Sequence, residues 1–278
     1  IGAGIQLSLT PAMHQEEARH HGLRLHYQLI DLEKFGGSPA DLPGLLDAAR
    51  KMGFAGLNIT YPCKQAVIPL LDELSDEAQA MGAVNTVVFR DGRATGHNTD
   101  GSGWRWGFER DLPGADLSRV VLLGAGGAGS AIAHALARLK ATQIVIVDSD
   151  GARADLLATQ LLAAYPGADV RGSTDIAAAL QGATGLVHAT PTGMDKLPGL
   201  PLPAALLRPT LWVSEIVYFP LETALVKAAR EAGCRVGTGA GMAVGQAVDA
   251  FRFFTGREPD AARMAAYMLK LLAARTTA

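Results

Sequence analysis

Cysteine is nearly absent: Cys63 and Cys234 are the only two in 278 residues, isolated from each other and without metal-type spacing. No disulfide framework and no thiolate metal site is expected, and two structural thiols fit the reducing cytoplasm. An excess of charge of one sign is missing as well. Twenty-five Lys and Arg stand against 27 Asp and Glu, a formal net charge of −2. That excludes a basic field for nucleic acid and a polybasic surface for anionic lipid. No apolar run reaches the roughly 20 residues that span a bilayer. The opening Ile1-Gly-Ala-Gly lacks the charged and apolar regions of a secretory signal, and it lacks a methionine, so residues upstream are not excluded. There is no internal repeat and no low-complexity tract. What the chain does have is 49% hydrophobic residues and 32 glycines, enough length and apolar content for two cored domains.

The most informative stretch is Val120-Val-Leu-Leu-Gly124-Ala-Gly126-Gly-Ala-Gly129. A β-branched apolar run reads as a buried strand, breaks into glycines spaced G-x-G-x-x-G, and continues as a helical pattern from Ser130 to Arg138. Gly124 permits the tight turn, Gly126 lets a pyrophosphate approach the backbone, and Gly129 lets the helix pack closely on its strand. The intervening Ala125, Gly127 and Ala128 complete a loop whose amides face phosphate at a helix start. The next strand, Gln143 to Val147, is followed by Asp148. A carboxylate there can accept hydrogen bonds from the adenosine ribose of NAD and meets the 2′-phosphate of NADP as like charge. The nearest arginine, Arg153, comes five residues later. NAD is therefore expected over NADP. A plainer role for Asp148 is capping a helix that starts near Gly151.

Around this loop the chain alternates strand and helix signals. Leu25–Ile30, Gly56–Thr60 and Val84–Arg90 read as strands, the last ending in an Asp91-Gly92 turn. Asp41–Met52 reads as a helix with an acidic cap and an early proline. Gly185–Thr190 and Leu211–Val217 read as buried strands, Leu221–Ala232 as a helix stopped by Gly233, and Ala243–Phe254 and Pro259–Arg275 as amphipathic helices. Asp195–Pro209 reads as an ordered surface loop. The expected fold is α/β: an N-terminal α/β substrate domain at 1–100, a doubly wound parallel dinucleotide domain at 101–237, and helices at 238–278 returning to the first domain. The ligands of such sheets sit beyond the carboxyl ends of the strands, so substrate is expected in the cleft the two domains form.

Four polar clusters lie at or just past the ends of apolar runs: Ser8-Leu-Thr10-Pro11, Asn58-Ile-Thr60-Tyr61-Pro62-Cys63-Lys64, Asn85-Thr86 and Asn98-Thr99-Asp100. Uncharged donors and acceptors with one lysine and one aspartate suit a small polyhydroxylated ligand carrying a carboxylate. Singly, each residue has a structural reading. Thr10 resembles an N-cap before proline, Asn85 and Asn98 could tie loops, Asp100 could cap the helix Gly101–Arg110, and Lys64 could be a solvated helix residue. Trp104 and Trp106 point to different faces of that helix, with core packing expected for at least one.

Together these patterns resemble the shikimate/quinate dehydrogenase family over essentially the whole chain. The carrying motifs are Ser8 to Pro11, Asn58 to Lys64, Gly82 to Thr86, Asn98 to Asp100, the glycine loop, Ala189-Thr-Pro-Thr-Gly-Met194, Val217-Tyr218 with Pro220, and Gly241-Met242 with Gln246. The resemblance implies Lys64 and Asp100 as the catalytic pair. It implies Ser8, Thr10, Asn58, Thr60, Asn85, Tyr218 and Gln246 as holders of a hydroxylated cyclic carboxylic acid. For the cofactor it implies Gly124 to Gly129, Asp148 and Arg153, with Thr190, Met194, Val217, Gly241 and Met242 toward the nicotinamide; no metal is implied. Three departures stand out. His188 replaces the family's common asparagine, Asp148 replaces an asparagine-arginine-threonine signature of NADP-using members, and Thr10 replaces a serine. The last two resemble the NAD-linked quinate/shikimate branch. Alternatives are a dehydrogenase of a related ring such as an aminoshikimate, a catalytically silent NAD-binding sensor, and, more remotely, a flavin- or methyl-donor-binding protein; either a monomer or a homodimer is compatible.

Overall fold

The computed structural model describes residues 1–276; positions 277 and 278, the end of the expected C-terminal helical segment, lie outside the described residues. The chain forms two compact units. One comprises Ile1–Thr99 with the residues from Gln246 onward, the other Asp100–Gly245.

In the first unit, α1 (Thr10–His20), α2 (Leu42–Lys51) and α3 (Asp76–Met81) accompany a four-stranded sheet made of β1 (Gly56–Asn58), β2 (Glu73–Leu74), β3 (Thr86–Arg90) and β4 (Arg93–His97). The strand order is β1-β3-β4-β2, antiparallel except for the parallel β2–β4 pair. The β3–β4 hairpin turns on Asp91 and Gly92, both at positive φ (51° and 77°). An Asp-Gly pair supplies that conformation cheaply and matches the twist of the strands. Leu42, Leu46, Leu57, Ile59, Val84 and Val87 are buried in this unit's core.

In the second unit, α4 (Asp100–Asp111) precedes β5 (Arg119–Leu123), α5 (Gly127–Arg138), β6 (Gln143–Val147), α6 (Gly151–Ala164), β7 (Asp169–Ser173), α7 (Ile176–Leu180), β8 (Gly185–His188), β9 (Trp212–Glu215), α8 (Ala224–Glu231) and β10 (Arg235–Gly237). All six strands are parallel, in the order β10-β9-β8-β5-β6-β7. Residues alternate between the two faces, as a strand's period of two requires. Val120, Leu122, Ile144 and Ile146 pack with Trp104, Phe108, Ile132 and Leu157 on one side. Val121, Leu123, Val145 and Val147 pack with Leu180, Leu225 and Ala229 on the other. This two-sided burial is what a continuous apolar strand sequence demands, and it makes the doubly wound α/β reading correct. Helices α9 (Ala240–Thr255) and α10 (Ala261–Thr276) complete the chain. Within the first unit, buried Glu17 of α1 accepts hydrogen bonds from Arg263 of α10 and from the Asp260 amide.

Several local expectations change. Leu25–Ile30 keeps an alternating exposure pattern but is not a strand; only Asp31, just beyond it, forms an isolated bridge, to Gly2. Alternation reports an extended backbone, whereas a strand also needs a ladder partner. Thr10 is the first residue of α1 rather than its cap; the cap position is Leu9, with no side-chain cap. Asp41 does not cap α2 through its side chain; it closes a capping box with Ser38 on the short 3₁₀ turn Pro39–Asp41. Lys64 lies in a turn, not a helix. Asp195–Pro209 is a largely exposed loop pinned by buried Leu202 and Leu207. Among the described residues no helix is long and apolar enough to cross a membrane.

Candidate functional site

The strand order of the second unit reverses where β5 lies beside β8, and the loops leaving those two strands carry the candidate residues. Parallel α/β sheets bind ligands at this topological switch point. Gly124 leaves β5 with φ 111°, a conformation few side chains tolerate. A Cβ on Gly129 would lie 2.0 Å from the Gly124 oxygen, so the first turn of α5 presses directly on the loop. At Gly126 and Gly127, in contrast, an added Cβ would meet nothing within 4 Å. Gly126 is the N-cap of α5, so the open space lies at the positive end of a helix. Its first-turn amides, those of Gly127, Ala128 and Gly129, have no acceptor within the helix itself. Room, dipole and donors together fit a pyrophosphate.

Asp148 directly follows β6 with little exposure, 8%. Its Oδ2 accepts from the Ala125 amide at 2.9 Å, and its Oδ1 from the Asp150 amide at 3.0 Å and from Arg153 Nη2 at 3.0 Å. Burial by itself raises this carboxyl's pKa, but the two amides and the Arg153 guanidinium outweigh it and hold the group below the usual carboxylate range. The capping role belongs to Asp150, whose side chain accepts from Ala152 and Arg153 amides at the start of α6. Asp148 is thereby left to brace the glycine loop. Its Oδ2 retains capacity for another donor, which suits a ribose hydroxyl. Arg153, only three residues into α6 and half exposed, is a closer neighbour of this carboxylate than their spacing suggested.

At the ends of β8 and β9 sits a buried polar network. His188 and Glu215 are paired at 2.8 Å with both side chains fully buried. The Glu215 carboxylate also accepts from the Ile216 and Val217 amides and from Thr223 Oγ1. The other His188 nitrogen lies 2.5 Å from Thr190 Oγ1, which in turn accepts from the Thr192 amide. Val217 is buried, Met194 is 43% exposed, and Tyr218 is half-buried. Gly241 and Met242 open α9, where Gly241 packs backbone to backbone against Gly107 of α4.

The first unit carries the remaining candidates. Tyr27 donates to Asn58 Oδ1 (2.9 Å), Asn58 Nδ2 to Thr86 Oγ1 (3.1 Å), and Thr86 Oγ1 to Asn85 Oδ1 (3.0 Å). Asn85 Nδ2 then donates to Thr99 Oγ1 (3.0 Å), and Thr99 to the Gln246 carbonyl (3.2 Å). This chain of donors joins Asn58, Asn85 and Gln246. Lys64 is half-buried, and its carbonyl accepts the Val84 amide beside Asn85. Thr60 follows β1 in line with Asn58, its amide bound to the Ile1 carbonyl. Ser8 and Thr10 sit at the start of α1, where Ser8 Oγ accepts the Thr10 amide. Asp100, 6% exposed, opens α4 in the second unit. Tyr27, Glu215 and Thr223 are not among the site residues expected from the sequence. A tyrosine on the less exposed side of the alternating Leu25–Ile30 segment signals a hydroxyl that needs a partner; the partnership of Glu215 with His188 depends on strand register. Among the described residues no His, Cys, Asp or Glu cluster could hold a metal ion.

A strand–glycine loop–helix at the switch point of a doubly wound sheet defines a dinucleotide-binding protein of the Rossmann class. Comparison with known proteins narrows this. Residues 1–87 match the family model described as shikimate dehydrogenase substrate binding domain, and residues 239–267 match the shikimate 5′-dehydrogenase C-terminal domain. A Streptomyces avermitilis protein named shikimate dehydrogenase (NADP(+)) is 56% identical over 98% of this chain and 94% of its own. A Corynebacterium glutamicum protein named quinate/shikimate dehydrogenase (NAD(+)) is 48% identical over 98% of this chain and 97% of its own. The solved structure of quinate dehydrogenase from C. glutamicum in complex with NAD superposes with a TM-score of 0.91 at 47% identity, over 97% of this chain and 96% of that one. The chain belongs to the shikimate dehydrogenase family of oxidoreductases.

Proposed function

We propose that this chain reversibly oxidises a ring secondary alcohol of shikimate or quinate to the ketone, with NAD as the preferred acceptor. The observation that carries the reading is the Asp148 carboxylate hydrogen-bonded to the Ala125 amide of the glycine loop, in a chain of this family. In this reading the first unit binds the hydroxylated cyclic acid and the second binds the dinucleotide. Gly124 to Gly129 hold the pyrophosphate and Asp148, flanked by Arg153, the adenosine ribose. Thr190, Met194, Val217, Gly241 and Met242 line the nicotinamide end. Bound there, the nicotinamide supplies the two-electron hydride acceptor.

The chain's own residues do the rest. Lys64 takes the hydroxyl proton as the carbon–hydrogen bond breaks and returns it in the reverse direction. Asp100 accepts a hydrogen bond from the same hydroxyl and orients it. Ser8, Thr10, Asn58, Thr60, Asn85, Tyr218 and Gln246 hold the carboxylate and remaining hydroxyls. The test is kcat/KM for shikimate and for quinate with each nucleotide. Turnover of at least one acid is expected, with NAD preferred over NADP by roughly tenfold or more, since a 2′-phosphate beside a desolvated carboxylate is penalised. One observation favours a second reading, NADP use: Arg153 stands 3.0 Å from the Asp148 carboxylate and offsets its charge, and the Streptomyces relative is named for NADP(+). A preference for NADP decides for it, and absence of turnover with either nucleotide decides for a silent ligand sensor.

A further inference from the structure

We propose that His188 is a positioning residue for the dinucleotide: held by Glu215, it fixes the Thr190 hydroxyl as a hydrogen-bond acceptor that receives a ribose hydroxyl. The inference rests on the dinucleotide reading given above and goes beyond it by assigning a proton to each atom of a buried network.

The assignment follows from counting donors. Glu215 Oε1 lies 2.8 Å from the Ile216 amide, 3.0 Å from the Val217 amide and 2.8 Å from His188 Nδ1, while Oε2 accepts from Thr223 Oγ1 at 2.9 Å. Backbone amides can only donate, so this carboxylate is an acceptor throughout, and His188 Nδ1 must carry a proton toward it. In the neutral ring the other nitrogen is then a bare acceptor. Its neighbour at 2.5 Å is Thr190 Oγ1, so the Thr190 proton points inward to His188. The Thr192 amide, 3.3 Å away, takes one lone pair of that oxygen. What Thr190 presents outward is therefore a lone pair and no proton. It receives a hydroxyl or amide donor and turns away a phosphate or carboxylate oxygen.

Position supplies the ligand. Thr190 is half-buried and follows β8 at the strand-order reversal. It packs on the first residue of the glycine loop, since a Cβ at Gly124 would come within 3.0 Å of Thr190 Cγ2. An acceptor beside a dinucleotide loop fits a ribose hydroxyl. An asparagine at 188 reaches less far than an imidazole, whose two nitrogens bridge Glu215 and Thr190 from opposite sides of one ring.

Two measurements on the full chain test this. The first is the His188 side-chain tautomer, read from long-range ¹H–¹⁵N correlations and assigned by the loss of its signals in His188→Asn or by their shift in Thr190→Val spectra. A proton on Nδ1 alone is expected; protonation of both nitrogens, or of Nε2 alone, overturns the proposal. The second is NAD affinity by calorimetry in a double-mutant cycle. Thr190→Val should weaken binding by roughly tenfold, the scale of one well-formed hydrogen bond, with Thr190→Ser restoring it to within about threefold. His188→Asn should weaken binding comparably, and the double variant should bind no worse than either single one. Losses that multiply in the double variant overturn the relay, because a general structural role of His188 would act whatever stands at 190. Should His188→Asn fail to fold, the Val and Ser variants at 190 and the wild-type tautomer still decide. Failure of the unmodified chain to bind either NAD or NADP overturns the dinucleotide reading itself, a different result from binding with multiplying losses.

Discussion

His14 lies on α1 with its ring wholly buried against Tyr27, Phe251 and Phe254. Neither of its nitrogens finds a hydrogen-bond partner among the described residues. Burial pushes its pKa down from 6.5 to about 4. The unfolded chain takes up this proton near pH 6.5 and the folded chain only near 4, so the stability it contributes is complete above pH 6.5 and drains away as pH falls toward 4. Between about pH 7 and about pH 5 that loss amounts to about 2 kcal/mol. His14→Phe, an aromatic replacement in an aromatic surround, should remove about that much from the acid-induced fall in urea-unfolding free energy; an unchanged fall contradicts the assignment. Lys64→Ala should lower turnover by about 10²-fold or more while leaving NAD affinity nearly unchanged, the signature of a lost acid–base group. Near-normal turnover in that variant would remove Lys64 from the chemistry. At position 148, Asp148→Asn should shift the ratio of NADP to NAD kcat/KM upward by about tenfold, because the charge is removed but an acceptor remains for Ala125. The place of Asp148 after a strand and beside the glycine loop was legible in the sequence, and the structure joins it to that loop through the Ala125 amide. The Asp148–Arg153 pair was not, because it depends on how the first turn of α6 presents a side chain.

At the scale of elements, close backbone approach decides where glycine is required. Gly107 of α4 faces Gly241 of α9, and a Cβ on Gly107 would stand 2.7 Å from the Gly241 Cα. Gly107→Ala should therefore cost about 1–3 kcal/mol through forced separation of the two helices, measurable as a lower unfolding midpoint; full stability would show that the contact yields. Gly129→Ala drives a methyl into the Gly124 carbonyl and should impair NAD binding more than overall stability. The α/β alternation, the Asp91-Gly92 turn and the glycine loop were readable because each depends on local pattern. Leu25–Ile30 was misread for the opposite reason: pairing is a property of the partner, and the segment's alternation reflects only which side faces the interior. Thr10 and Asp41 were misplaced by a residue or a role because caps depend on where the helix begins, the least local part of a helical pattern.

At the scale of the molecule, the reversal of strand order at β5 and β8 brings together two loops separated by more than sixty residues in sequence. The loop after β5 was visible as a motif. The His188–Glu215–Thr190 network was not, since it forms only when β8 and β9 align His188 with Glu215 in register. The family resemblance read from ordered polar motifs agrees with the matches over nearly the whole chain, while the proposed preference for NAD rests on a few atoms around Asp148. The most direct test of the proposed reaction is transfer of a label. Shikimate and quinate carrying deuterium on the ring carbon of the oxidised alcohol, incubated with the protein and NAD, should yield reduced nucleotide with one deuterium per ketone formed, read by mass spectrometry. Reduced nucleotide without deuterium, or label retained on the ring with no ketone, would contradict it.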